Sequence, residues 1–179
     1  MTKLLVVVDM QNDFVDGALG SKEAEAIVPK VVEKIKNWDG DIIATYDTHY
    51  EDYLKTREGR LLPVEHCILG TEGHELNPDV KEALMKNKLL IGIKKFTFGD
   101  TKLPHFIGSA LCCNYDYIEF IGLCTDICVV SNALIVKAAY PEVDIAVDAS
   151  CCAGVTPEKH KAALMTMDSC QINILNAED

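Results

Sequence analysis

Two cysteines frame the segment Leu123-Cys124-Thr125-Asp126-Ile127-Cys128-Val129-Val130, which follows a short apolar run and leads into a helix-period stretch. If Thr125 caps that helix, Cys128 falls in its first turn. Free N–H groups and the helix dipole there stabilise a thiolate, lowering its pKa below the free value of about 8.5. The same N–H groups can hold an oxyanion after attack on a carbonyl. The alternative is that Cys128 is one more small residue on a buried helix, as free cysteines often are. Asp9 ends another apolar run in Val8-Asp9-Met10-Gln11-Asn12-Asp13-Phe14. A carboxylate at the end of a buried strand is costly unless it is paired or used, though it can also cap the next turn. Lys94 and Lys95 close a third run. A partly buried lysine keeps a carboxylate and a thiolate charged, whereas a solvated one does neither. Asp47 and His49 form an Asp-x-His pair. On an extended segment both side chains point to one side, and carboxylate plus imidazole suits zinc, iron or manganese.

These residues need a frame. Short, continuously apolar, β-branched runs recur at residues 3–9, 41–46, 89–93, 117–121, 143–147 and 171–175. Continuous rather than alternating hydrophobicity predicts strands buried on both faces. Helix-period segments lie between them. Residues 22–37 put Ile27, Val31, Ile35 and Trp38 on one stripe, and 126–139 and 157–167 are similar, the last opened by Thr156-Pro157-Glu158. The alternation predicts one doubly wound, Rossmann-like α/β domain over 1–179, with a mostly parallel six-stranded sheet and helices on both faces. Ligands of such sheets bind beyond the carboxyl ends of the strands. That is where Asp9, Asp47, His49, Lys94, Lys95, Cys124 to Cys128 and Asp148 are expected. Residues 47–78 break the rhythm for roughly 30 residues, a length that is usually functional in a compact domain. They hold three of the five histidines, His49, His66 and His74.

Composition excludes other classes. The chain has 179 residues, 17 Lys+Arg against 28 Asp+Glu, a formal net charge of −11 and 49% hydrophobic residues. That is globular rather than disordered. An acidic balance without a basic run argues against nucleic acid. No apolar run approaches a membrane span, and no signal segment precedes the first strand, so a cytoplasmic protein with reduced thiols is expected, without a membrane partner. Eight cysteines without a Cys-x-x-Cys then read mostly as small buried residues. Cys67, Cys112, Cys113, Cys151, Cys152 and Cys170 lack a partner motif.

Asp9-Met10-Gln11-Asn12-Asp13-Phe14, the Lys-x-Thr-Phe-Gly segment at Lys95 to Gly99, and Gly122-Leu123-Cys124-Thr125-Asp126-Ile127-Cys128-Val129 occur in that order. Together they resemble the isochorismatase-like cysteine hydrolases, specifically their nicotinamidase branch, over essentially the whole chain. The resemblance implies a catalytic triad of Asp9, Lys95 and Cys128. Lys95 is favoured over Lys94 because it lies three residues before an aromatic, Phe98. It also implies a cis peptide before Cys124, an oxyanion hole of the Cys124 and Cys128 N–H groups, and Phe14 packing against a planar ring. One divalent metal ion, zinc before iron or manganese, is implied at Asp47, His49 and His66. The family's fourth ligand varies, and Glu58 is the nearest match, with Glu51 and Asp52 as alternatives. His74 has no family role and is expected at the loop surface. The implied activity is hydrolysis of nicotinamide to nicotinate and ammonia through a cysteine thioester, in NAD salvage, by a homo-oligomer. The alternatives are an amidohydrolase of the same family acting on another small amide, and a non-catalytic thiol or metal sensor on the same fold.

Overall fold

The structure is a computed structural model describing residues 1–87, 89–110 and 115–177. Six strands, β1 (Lys3–Val8), β2 (Asp41–Asp47), β3 (Leu89–Lys95), β4 (Tyr117–Leu123), β5 (Asp144–Ala153) and β6 (Asn173–Leu175), form one sheet in the order β3-β2-β1-β4-β5-β6. Every pairing is parallel, where the sequence predicts a mostly parallel sheet. The helices are α1 (Asn12–Val15), α2 (Lys22–Asn37), α3 (Arg57–Leu61), α4 (Pro78–Lys86), α5 (Leu103–His105), α6 (Val130–Ala139) and α7 (Pro157–Ser169). The core is double. Leu5 and Val7 of β1 pack with Ile27, Val31 and Ile35 of α2 and Val80 and Leu84 of α4. Leu4, Val6 and Val8 face the other way, against Val129, Ala133 and Val136 and against Leu164 and Met167 of α7. Helices on both faces are why the strands read as unbroken apolar runs. Among the described residues, no helix is long and apolar enough to cross a membrane.

The helix ends follow their local chemistry. Ser21 caps α2 through the N–H of Ala24, with Glu23 and Glu25 in the first turn and Lys34 and Lys36 in the last. Thr156 caps α7 ahead of Pro157. Trp38, expected on the α2 stripe, is instead the extended residue that ends the helix, and its indole N–H bonds Asp41 O.

Asp148 is not at the sheet edge. β5 runs on to Ala153, which leaves Asp148 buried in mid-strand. Lys34 of α2 reaches it at 2.6 Å and Glu119 of β4 at 2.7 Å, so two buried acids share one ammonium. The six cysteines without a motif form no disulfide where described: Cys67, Cys151 and Cys152 are buried free thiols and Cys170 is exposed. Cys112 and Cys113 lie outside the described residues.

The strand order reverses at β1, between β2 and β4, which opens a crevice beyond their carboxyl ends. Register places Val8 beside Gly122 there. Gly122 has φ +118, and a Cβ on it would lie 2.1 Å from Val8 O. Gly122→Ala is therefore expected to destabilise the fold by roughly 2–3 kcal/mol, read from the urea midpoint; an unchanged midpoint would mean that the two strands separate easily at this rung.

Candidate active site

Four strand ends converge on the crevice. Asp9 leaves β1 with φ +49, a left-handed conformation that Asp tolerates better than most side chains. Its N–H bonds Thr45 O at 3.2 Å, and its Oδ1 accepts from the Thr45 hydroxyl at 2.7 Å. Asp47 and Lys95 are direct partners across β2 and β3. The lysine ambiguity resolves on burial: Lys94 is exposed, while Lys95 is 1% exposed. The Lys95 ammonium meets Asp9 Oδ2 at 2.7 Å, Asp47 Oδ1 at 2.9 Å and Cys128 Sγ at 3.3 Å.

Burial alone would push the Lys95 ammonium toward its neutral form. The facing Asp9, Cys128 and Asp47 overcome that and hold it well above the ordinary lysine range. Burial also raises the Asp9 carboxyl, with Lys95 pulling it back and Asp47 adding to the rise. The Cys128 thiol departs from expectation: burial and the nearby Asp9 push it well above a free cysteine, and Lys95 offsets only part of this. Desolvation beside the Asp9 carboxylate therefore favours the thiol form of Cys128, against the pull of Lys95.

The local backbone also differs. Thr125 does not cap the following helix. Cys124 occupies the cap position without a side-chain bond, and residues Thr125–Val129 form a wide π turn in which Cys124 O accepts from Ile127 and Val129. The Leu123–Cys124 peptide is cis, as the family resemblance implies.

Beside this cluster, Asp47 Oδ2 lies 3.0 Å from His49 Nε2 and 3.6 Å from His66 Nε2. Among the described residues, one ligand atom from each of these three falls within 4.8 Å of the others. His66 Nδ1 is 2.8 Å from Val64 O, which can only accept, so Nδ1 donates there and leaves Nε2 facing Asp47. Burial raises the Asp47 carboxyl, but bonds from His49 and His66 and the charge of Lys95 hold it far below the usual range. An ionised carboxylate and imidazole nitrogens suit a divalent ion. Glu58 Oε1 approaches His49 Nε2 at 3.6 Å and His66 Nε2 at 3.9 Å, whereas Glu51 and Asp52 are exposed. The Tyr53 ring lies against both imidazoles. His74, expected at the surface, is buried away from this cluster. Its Nε2 lies 3.0 Å from the Thr48 hydroxyl and its ring stacks on Tyr46.

Residues without an assigned role in the sequence hold the long loop in place. Gln11 accepts from Asp47 N at 2.7 Å and donates to Asp47 O and His74 O, both at 2.9 Å. Asn12 donates to Glu72 O, and Asp13 accepts from Cys67 N. The first strand's motif thereby fixes the backbone of Asp47 and the segment after His66. Polar side chains directly after a buried strand were the available signal, because such groups need partners.

Both clusters open into one cavity of about 810 Å³, lined by Phe14, Asp47, Glu58, His66, Cys124 and Cys128 among others. Phe14 is buried with its ring centroid 5.6 Å from that of His66.

The isochorismatase domain family matches residues 3–179. An uncharacterised isochorismatase family protein, PncA, of Bacillus subtilis is 33% identical over 146 residues, covering 75% of this chain and 78% of its own. A solved nicotinamidase/pyrazinamidase PncA structure from Bacillus subtilis superposes with a TM-score of 0.83 at 27% identity, covering 98% of this chain and 100% of the other. The pyrazinamidase of Pyrococcus horikoshii in complex with zinc gives a TM-score of 0.76 at 27% identity, covering 99% and 100%.

Proposed function

The chain belongs to the isochorismatase family of hydrolases, and from that premise we propose that it is a nicotinamidase with Cys128 as nucleophile. The observation that carries this reading is the Lys95 ammonium, in contact with Asp9, Asp47 and the Cys128 sulfur at once. The solved relatives described as nicotinamidase/pyrazinamidase support the choice of substrate.

The buried thiol needs a base. Asp9 takes the Cys128 proton while Lys95 keeps both partners of the exchange paired with a positive charge. Sulfur then bonds to the amide carbon, and the carbonyl π electrons move onto oxygen, facing the N–H groups of Cys124 and Cys128. As the intermediate collapses, the C–N bond breaks and Asp9 returns the proton to the departing ammonia. Asp9 next removes a proton from water, whose oxygen bonds to the acyl carbon as the C–S bond breaks. Asp9 returns that proton to sulfur, restoring the thiol, and the released acid gives its own proton to solvent as nicotinate. Asp47, His49, His66 and Glu58 would hold a divalent ion, with zinc first by analogy to the relative solved with it. When bound, that ion supplies an electrophilic anchor for the ring nitrogen. Phe14 presents its face to the ring, and its neighbours exclude water from the thiol.

The first test is ammonia release from nicotinamide by the purified chain; no release above background would sink the assignment. The cavity volume favours a second reading, a larger aromatic amide on the same machinery, which a higher kcat/KM for such an amide would establish. Metal removal tests the loop separately. Chelation is expected to lower kcat/KM by about 10- to 100-fold, with recovery on adding zinc or manganese. His66→Ala is expected to bind less than about half an equivalent of metal per chain. Full metal content in His66→Ala would move the site elsewhere.

A further inference from the structure

We propose that His160 is a positioning residue for the turn carrying Cys124 and Cys128, acting through the hydroxyl of Thr125. The proposal rests on the functional reading above, since it concerns the donors that reading assigns to the oxyanion. Thr125 is fully buried, and its Oγ1 lies 2.8 Å from His160 Nδ1 in the first turns of α7. Among the described residues this hydroxyl bonds to His160 alone, and a buried hydroxyl without its partner costs free energy. Within the turn the bonds are backbone ones, with Cys124 O accepting from Ile127 N and Val129 N. Its cap position, Cys124, makes no side-chain bond, and the Thr125 hydroxyl that could have capped it points to α7 instead.

The next residue is tied to the same segment. Asp126 Oδ1 accepts from Val155 N at 2.9 Å. Between the two ties sits Gly154, where a Cβ would lie 2.8 Å from Asp126 Oδ1 and 2.9 Å from His160 N. Successive residues of the turn are therefore clamped, side chain by side chain, onto residues 154–160. An oxyanion site works only while its donors stay within a few tenths of an ångström of the developing charge. His160 does not itself line the cavity, although its neighbours Gly154 and Lys159 do; its ring acts on the turn through Thr125.

The test uses His160→Ala, His160→Asn, Thr125→Val and the Thr125→Val/His160→Ala double variant. Steady-state ammonia release is measured beside the affinity for pyridine-3-carbaldehyde. That aldehyde adds the Cys128 S–H across its carbonyl, sulfur to carbon and proton to oxygen, and so probes the turn without turnover. His160→Ala is expected to lower kcat by about 10- to 100-fold with KM within about twofold, and to weaken aldehyde binding by a similar factor. His160→Asn, whose side-chain amide reaches the position of Nδ1, is expected to recover activity to within about threefold of the native chain. The double variant should be no slower than His160→Ala alone, because one contact cannot be lost twice. Thermal midpoints separate a folding loss from a positioning loss. The proposal is overturned by His160→Ala activity within about twofold of native, by an effect confined to KM, by additive losses in the double variant, or by no recovery in a folded His160→Asn. A native chain that adds the aldehyde but releases no ammonia defeats the functional reading instead, and the aldehyde arm still reads His160.

Discussion

Cys128→Ala is expected to release ammonia from nicotinamide at least about 10⁴-fold more slowly than the native chain. Asp9 and Lys95 do not replace the sulfur, because they are engaged with each other. Cys128 is 4% exposed within an apolar cluster, so truncation leaves a small cavity there. The stability cost is expected near 1 kcal/mol, too little to unfold the chain. The split matters. A residue present only to fill the core would change the unfolding midpoint and leave turnover intact, the reverse of what the site geometry implies. Ammonia assays and urea unfolding on the same preparation decide between them.

Lys95→Met is expected to be the most damaging single change to stability, about 3–5 kcal/mol at neutral pH. The methionine fills most of the same space but removes the ammonium shared by Asp9 and Asp47, leaving two buried carboxylates facing each other. The pH dependence follows from the sign. Burial already raises Asp9, and loss of the cation raises it further. An acid whose folded pKa lies above its unfolded value costs stability increasingly as pH rises between the two. The penalty should therefore be smaller near pH 5 than near about pH 7.5. Urea midpoints at both pH values test this. A penalty independent of pH would show that lost packing, not the unpaired acids, carries the cost.

The frame was legible because each strand is buried on both faces and so reads as an apolar run. The N-terminal bounds of β2, β3 and β4 match those runs to the residue. β5 was underestimated because Asp148, a charge in its middle, resembles a strand end until Lys34 of α2 is seen to neutralise it. Asp9, Asp47, Lys95 and Cys128 were visible as chemistry at strand ends, and parallel register is what gathers them. The protonation of Cys128 was not visible, since helix position favours a thiolate while burial beside Asp9 overrides it. Gln11 bonding Asp47 and Asp13 bonding Cys67 span 36 and 54 residues, and no local pattern marks such pairs. The same holds for Thr125, where its local sequence suggests a cap and its partner arrives from α7.

Hydroxylamine trapping during nicotinamide turnover tests the central claim most directly, because it reports the acyl–sulfur bond itself. A Cys128 thioester predicts that nicotinohydroxamate appears at the expense of nicotinate as hydroxylamine is raised, and that Cys128→Ala yields neither. Undiminished nicotinate with no hydroxamate, or nicotinate formed by Cys128→Ala at the native rate, would mean that water attacks the amide directly and that Cys128 is not the nucleophile.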